Sequence, residues 1–570
     1  MGTRMSTPAT GGHSPRLLGG RLDAGWVAML VLMVMAAIVI LYLGRDFTFY
    51  SDEWFFVLYR DGNSWENVLA GHGGHLSLFP VLLFTGLFKT VGLDSYWVYR
   101  VAALASVLLC SFLVYVLARR RVGSLIALAP AGLLLVLGSG WADILRPFQI
   151  VFTAAIACGL MAILMLDRDD LKGDVASCAF LVAGVCWSGA AVPFIVGISA
   201  GLIVKGRFWR RVWVPLIPAA IYPLWAPKYS DVHTDYADNL SAAPSYALRM
   251  VEAAVSGITG LPHWAAVVLL AIFSVVVVVR LRRIGRADAL AWEALACGVT
   301  FWIVTALSQA QEKTPGVPRY LYVSAVFILL AALGIARGAP SRRVVATITV
   351  LFCLLAFPSN IVDLVRGADY MEKTAQLTRA ELGAMQLAHQ VISSTYTPPL
   401  KDLAGVTIPA APYLAAVGRY RSSPADSPAG IEREPEFARR RADQILAMAF
   451  HIRLIDSHEM PPLGSHPPEV ESNPGIEIRR RGCAVLSGIG SGAHITVPRS
   501  GLGIRSNSPA TSRVSLRQFA HTFPVELGSL EGSADAILRP GYRSITAKPW
   551  VLRVEKGGGS IAVCRLTPRN

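Results

Sequence analysis

Ala24-Gly25-Trp26-Val27-Ala28-Met29-Leu30-Val31-Leu32-Met33-Val34-Met35-Ala36-Ala37-Ile38-Val39-Ile40-Leu41-Tyr42-Leu43 contains no charged side chain. Its length, about twenty residues, matches the hydrocarbon thickness of a bilayer and exceeds the roughly 7–15 residues of a signal-peptide core. Arg4, Arg16 and Arg21 precede it, and no small, polar cleavage region comes before Gly44. The run is therefore expected to stay in the protein as a membrane span, with residues 1–23 as a cytoplasmic tail. Composition agrees: of 570 residues 53% are hydrophobic and 16% charged, against about 25% charged in soluble proteins, and the mean hydropathy is +0.48. The formal charge of +15 is distributed between apolar runs, which points to positive-inside membrane loops and away from nucleic acid as a partner.

Residues 44–95 form a mixed segment containing the apolar stretch Leu76 to Leu93, and a second apolar stretch follows from Tyr96 to Leu117. If both crossed, Arg119, Arg120 and Arg121 would face outward, so the first, interrupted by Pro80 and Lys89, is expected to lie at the interface. Further apolar runs at 122–137, 148–166, 176–187, 190–204, 212–225, 264–279, 289–307, 320–336 and 344–364 bring the expected total to about eleven spans. Lys205, Arg207, Arg210 and Arg211, then Arg280, Arg282, Arg283 and Arg286, then Arg337, Arg342 and Arg343 then all fall on the cytoplasmic side. The pair flanking Ser188 and Gly189 admits a second reading as one broken helix.

The expected fold is thus a polytopic α-helical membrane domain over 24–364. An extracytoplasmic α+β part follows, as a helical and linker region over 365–475 and a β-sandwich over 476–570. Met371 to Ser393 and Glu436 to Leu454 have helical spacing, and His494 to Val497, Val514 to Phe519 and Trp550 to Val554 alternate as strands do. Six cysteines lie in spans; Cys483 and Cys564 bracket the β-rich segment and are expected to form a disulfide.

In a membrane protein, polar residues where the bilayer disfavours them mark function. The first outside loop reads Arg45-Asp46-Phe47-Thr48-Phe49-Tyr50-Ser51-Asp52-Glu53-Trp54-Phe55-Phe56. Two carboxylates among aromatics suit a general base, because partial desolvation raises a carboxyl pKa; a solvated acidic loop in an aromatic belt is the competing reading. Further along come Gly71-His72-Gly73-Gly74-His75, then Lys89, Gly92 and Arg100.

Asp-Glu just beyond the first span, a polar turn into Pro80-Val81-Leu82-Leu83-Phe84, then Phe88-Lys89-x-x-Gly92 and Tyr99-Arg100-x-x-Ala103-Leu104 resemble the N-terminal signature of the GT-C glycosyltransferases. That superfamily includes the protein O-mannosyltransferases and the lipid A aminoarabinose transferases. The Lys-Pro-Pro frequent before the helix in those families is replaced here by His75-Leu76-Ser77-Leu78-Phe79-Pro80. The resemblance implies an enzyme that takes a sugar from a polyprenyl phosphate carrier and transfers it to a glycan, lipid or protein acceptor at the outer face. It places the catalytic carboxylate at Asp52, with Glu53 beside it.

Cations near the outer interface are then expected to meet the lipid phosphate: Arg319, ahead of Tyr320, first, then Arg146, then Lys89 and Arg100. The competing reading of Arg319 is an anchor snorkelling beside Tyr320. Asp143 is a candidate second acidic residue, with a capping role as its alternative. His75 and His72 are weighed as phosphate or divalent-metal ligands against ordinary turn residues, and His233 with Asp231 as a weaker pair. Glu293 is expected to face a helix partner or the cytoplasmic interface. No nucleotide-binding fingerprint occurs in a strand-to-helix context. Two other classes fit the composition: a transporter or flippase, and a non-catalytic envelope-glycan assembly protein.

Overall fold

The computed structural model describes residues 23–568 apart from 233–235, 285–288, 337–341, 399–406, 458, 472–475, 480–481, 488–491, 508–510, 524, 540–547 and 556–558. Arg4, Arg16, Arg21, His233, Arg286 and Arg337 lie outside the described residues. The chain is a multi-pass membrane protein with a strand-rich C-terminal part. Among the described residues seven helices are long and apolar enough to cross a bilayer, or eight if a pair bent by 42° counts as one.

The first helices are α1 (Ala24–Leu43), α2 (Asp52–Tyr59), α3 (Trp65–Leu69), α4 (Leu78–Thr90) and α5 (Trp97–Val122). α1 begins at Asp23, whose carboxylate accepts the Trp26 amide at 3.0 Å and pairs with Arg119 near the end of α5 at 2.7 Å. The start of α1 and the end of α5 therefore share one end of the bundle. At the other end the Tyr96 hydroxyl donates to Glu53, so the chain from Gly44 to Tyr96 leaves and re-enters on one side. α4 follows on that side, and its 13 residues reach only about 20 Å.

Next come α6 (Leu128–Leu135), α7 (Trp141–Leu145), α8 (Ile150–Leu166), α9 (Leu171–Trp187), α10 (Val192–Val204), α11 (Phe208–Arg211) and α12 (Trp213–Tyr229). The stretch expected as a span over 122–137 is instead the bent pair α6–α7, broken by the 3-10 turn Gly138–Gly140. Glycine is a poor helix former, and it is needed here: a Cβ on Gly138 would run into the backbone of Asn360 and Leu364, and one on Gly140 into Tyr322. α9 and α10 are two helices, separated at extended Ser188. Arg211 bridges Asp169 at 2.7 Å and Asp174 at 3.1 Å, and Lys205 reaches Asp167 at 3.5 Å and Glu293 at 3.9 Å. The α8–α9 turn and the α10–α12 connection thus meet at the Asp23 end, so α9 and α10 run in opposite directions, and Glu293 faces Lys205 at the end of α10. With 17 residues each, α9 and α12 are only about 26 Å long, a little less than the hydrocarbon thickness of a bilayer.

The segment between Pro227 and Pro262, which lies between two expected spans, holds α13 (Tyr236–Asn239) and α14 (Ala243–Thr259). Tyr246, Met250, Ala254 and Ile258 recur at helical spacing on the buried face of α14. α15 (His263–Ile284), α16 (Ala289–Gln309) and α17 (Pro318–Ala336) follow, then α18 (Arg342–Leu387). The last expected span and the first soluble helix are one element. α18 has 46 residues, about 69 Å, so no break falls near 364. Asn360 anchors it: its amide donates to the Gly257, Ile258 and Ala356 carbonyls and its oxygen accepts the Ser139 amide at 3.2 Å.

Beyond α18 lie α19 (Ala410–Tyr420), α20 (Pro428–Arg433) and α21 (Glu436–Ala449). His451 adopts a positive φ, and α21 stops short of the expected Leu454. The strands are β1 (Leu454–Asp456), β2 (Ile476–Arg479), β3 (Cys483–Ser487), β4 (Ala493–Thr496), β5 (Leu502–Ser506), β6 (Ser512–Arg517), β7 (Val525–Leu530), β8 (Asp535–Leu538), β9 (Val551–Glu555) and β10 (Ser560–Arg565). They form a six-stranded sheet, β1-β8-β5-β10-β3-β2, and a four-stranded one, β4-β9-β6-β7, with Leu486, Ile504 and Val563 of one and Ile495, Val514 and Leu552 of the other buried. Because β1 pairs with β8, the strand-rich unit begins at 454 rather than 476. Cys483 and Cys564 face each other in register on β3 and β10 and are disulfide-bonded.

α21 ties this unit to the rest. Asp443, fully buried, accepts the backbone N–H groups of Gln518, Phe519 and Ala520 at 2.8–3.0 Å, and Arg441 pairs with Glu381 on α18. Asp443→Ala would leave three buried amides without an acceptor, each worth about 1–3 kcal/mol. We expect a lower melting temperature and earlier proteolysis within 450–530 of the full chain in detergent; an unchanged melting curve would contradict this docking.

Candidate active site

The loop after α1 is shaped by Glu53. Its Oε2 accepts from the Tyr50 amide at 2.8 Å and the Tyr96 hydroxyl at 2.7 Å, and its Oε1 from the Phe148 amide at 2.9 Å. Loop, α5 and the start of α8 thus converge on one carboxylate with no exposed surface. Burial pushes its pKa up to about 7, against the pull of the Tyr96 and backbone hydrogen bonds. Ser51, at φ +51, holds a conformation that non-glycine residues rarely adopt, and the chain turns there so that Asp52 begins α2.

Asp52 faces the other way, with about a third of its side chain exposed (32%), and its Oδ1 lies 3.7 Å from His72 Nε2. Burial would raise its carboxyl, but the nearby His72 ring, then Arg146 and Arg319, outweigh it and hold the pKa below the ordinary value. Of the two carboxylates expected to be desolvated among aromatics, Glu53 is the one whose pKa is raised, and that of Asp52 is lowered. His72 is seated among Phe55, Phe56 and Phe148, with ring centroids 4.9–5.3 Å away. Its turn is closed by mutual backbone bonds between His72 and His75. Gly73 and Gly74 take the positive φ this turn requires, and both donate their N–H groups to Asp231 at 2.9 Å. Arg60 holds the near side through the Asn67 and Gly71 carbonyls.

Two guanidiniums complete the site. Arg146 lies over the Tyr50 ring at 4.5 Å, and the Tyr50 hydroxyl meets that of Tyr370 at 3.2 Å. Arg319 lies over Tyr320 at 5.2 Å, and its Nη2 donates to the Tyr320 hydroxyl at 3.5 Å. The Nε atoms of both arginines, both carboxylate oxygens of Asp143, both polar atoms of the Gln149 amide and the Tyr322 hydroxyl are buried without a hydrogen-bond partner. Asp143 feels both arginines electrostatically. Buried polar atoms are nearly always paired, so the unspent Nε donors of Arg146 and Arg319, the two arginines that act on Asp52, are available for a polar ligand.

Of the residues expected at the site, Asp52, Asp143, Arg146, Arg319, Tyr320 and His75 are gathered together. His75 lies beside His72 and Arg319, and burial pulls its pKa down to about 4. Glu53 points inward and is fully engaged. Arg100 is not brought to the site: it caps α1 through the Ile40 and Leu41 carbonyls. Lys89 is not either; its ammonium donates to Asn63 at 3.0 Å. Among the described residues no three His, Cys, Asp or Glu side chains gather as a metal site would require, and the Asp231 carboxylate is spent on the two glycine amides. Sequence spacing gives no route to Tyr370, 320 positions from Tyr50, nor to Gln149 and Tyr322.

No protein-family model matches the chain, and no curated protein does. Among solved structures it is similar to the crystal structure of ArnT from Cupriavidus metallidurans bound to undecaprenyl phosphate, at 14% identity and a TM-score of 0.41 over 67% of this chain and 84% of that one. It is likewise similar to ArnT from Cupriavidus metallidurans in the apo state, at 16% identity and a TM-score of 0.41 over 66% and 84%. At these values the likeness bears on neither chemistry nor ligand, which follow from this chain's own residues.

The raised Glu53 pKa has a thermodynamic consequence. An acid with a folded pKa above its unfolded one binds more protons when folded, so stability falls as pH rises from the ordinary glutamate value of 4.5 to about 7. The shift corresponds to about 3 kcal/mol. Melting temperatures between pH 4.5 and 7 should fall more steeply for the wild-type chain than for Glu53→Gln, and parallel curves would show that Glu53 is not the buried group described.

Proposed function

We propose that this chain is a membrane glycosyltransferase that moves a sugar from a polyprenyl-phosphate-linked donor to a hydroxyl of a cell-envelope glycan, lipid or protein. In this reading the Asp52 end of the bundle and the C-terminal strand-rich unit face outward from the plasma membrane. The Asp23 end, with its clustered Arg and Lys residues, faces the cytoplasm. The observation that carries it is an ionised, partly open Asp52 with two arginines on the same site whose Nε donors are unspent. The GT-C-like order of motifs in the first 120 residues supports it.

The chemistry balances with these groups. The acceptor oxygen attacks the anomeric carbon, the carbon–oxygen bond to the lipid phosphate breaks, and its electron pair leaves on the phosphate. Arg146 and Arg319 offset that charge, and Asp52 takes the acceptor proton. A carboxylate held at low pKa is a weak base. It suits a reaction in which the anomeric carbon becomes electron-poor before the proton is taken, as in oxocarbenium-like transition states. Glu53 acts through position, by holding the loop that presents Asp52.

Two measurements test this. In membranes holding matched amounts of protein, transfer of radiolabelled sugar from a panel of polyprenyl phosphate donors should fall about 10²–10⁴-fold in Asp52→Asn; wild-type-like transfer in that variant would remove Asp52 as the base. In His72→Gln the Asp52 carboxyl loses the partner that holds it down. The acid limb of the pH–rate profile should therefore move to higher pH, whereas an unmoved limb would detach His72 from the reaction.

A further inference from the structure

Lys89, Arg419 and Arg421 line one cavity of about 290 Å³ on the same end of the bundle as Asp52. None of the three is paired with a carboxylate among the described residues, and none is among the charged groups that act on Asp52. Asp61, Asn63 and Tyr420 share the lining. The walls are fixed: Leu93 donates its N–H to the Ser422 hydroxyl and Ser423 its N–H to Asp94, each at 2.6 Å. The cavity is therefore a joint between the first outside loop and the C-terminal part.

One competing reading is that the cations only cap the two helices ending here, α4 and α19. Each helix end carries about half an elementary negative charge. The Asp61 carboxylate in the lining and Asp94 beside the wall offset the rest of the charge, but neither forms an ion pair with Lys89, Arg419 or Arg421 among the described residues, so the three cations keep donors free for an anion. Tyr420, whose ring touches Phe88 at 5.4 Å, adds an aromatic face, and Asn63 and Asp61 add hydrogen-bonding groups for hydroxyls. The volume sits at the lower edge of ligand pockets, about 300 Å³, which suits one sugar-sized group.

We propose that this cavity binds an anionic saccharide, its acidic group against Arg419 and Arg421 and its hydroxyls against Asn63 and Asp61. The inference does not depend on the reading of Asp52.

The test is titration calorimetry on the full chain in nanodiscs with glucose 6-phosphate, glucose and inorganic phosphate. Glucose 6-phosphate should bind, glucose should bind far more weakly, and the Arg419→Gln/Arg421→Gln protein should lose at least about tenfold in affinity. Arg419→Lys/Arg421→Lys, which keeps both charges, should lose less, and identical melting curves exclude misfolding. Asp52→Asn should bind as wild type does, so loss of transfer with binding kept separates the two sites. No binding of glucose 6-phosphate, binding indifferent to the double substitution, or phosphate binding as tight as the sugar phosphate would each overturn the proposal.

Discussion

Everything at the Asp52 end of this bundle depends on where one buried carboxylate is held. Glu53 binds the Tyr50 amide, the Tyr96 hydroxyl and the Phe148 amide at once. Three segments distant in sequence are thereby fixed to the residue next to Asp52. A buried acid with raised pKa is unfavourable by itself, and its persistence is explained by the geometry it enforces. With Glu53 turned inward, Asp52 must turn outward, toward His72 and the two arginines. The adjacent carboxylates divide their work by environment, one structural and uncommonly basic, the other ionised and open.

The same logic of fixed points extends outward. Asp231 clamps the His72 turn through two glycine amides, so His72 is placed by a residue from the far side of α12. Asn360 locks α18 to the break between α6 and α7, and that break aims α7, with Asp143, and Arg146 after it, at the site. α18 then continues past the site, contributes Tyr370, and carries the C-terminal unit through Glu381 and Arg379. Arg379 joins Glu434, at the end of α20, at 2.7 Å to the Asp46 carbonyl at 2.6 Å, so the helical region ahead of the strand-rich unit is anchored to the loop that presents Asp52.

Much of this was legible in the sequence because it rests on local rules. Uninterrupted apolar runs marked α1 and the long spans, and the Arg119–Arg121 triplet excluded a crossing by Leu78–Thr90. The lone pair Cys483 and Cys564 marked the disulfide. Asp52, Asp143, Arg146 and Arg319 stood out as polar residues near the ends of apolar runs. What escaped was set by tertiary contacts. Nothing near Arg100 says that it caps a helix 60 positions earlier, and nothing near Asp52 says that His72 and two guanidiniums would lower its pKa rather than aromatics raise it. The change to polar residues after Leu364 marks a change of solvent, and the helix itself continues across it. α14 was missed because its apolar stripe is too sparse for a hydropathy run, although its period of 3.6 is plain at Tyr246, Met250 and Ala254.

The central claim is that Asp52, Arg146 and Arg319 form one site for a lipid-linked phosphate and its sugar. The most direct measurement is an electron cryo-microscopy structure of the full chain in nanodiscs with a polyprenyl phosphate. The account predicts the phosphate within hydrogen-bond reach of Arg146 and Arg319, with the open side of Asp52 facing the space a sugar would occupy. A phosphate seated away from both guanidiniums, or bound on the Asp23 side of the bundle, would contradict it.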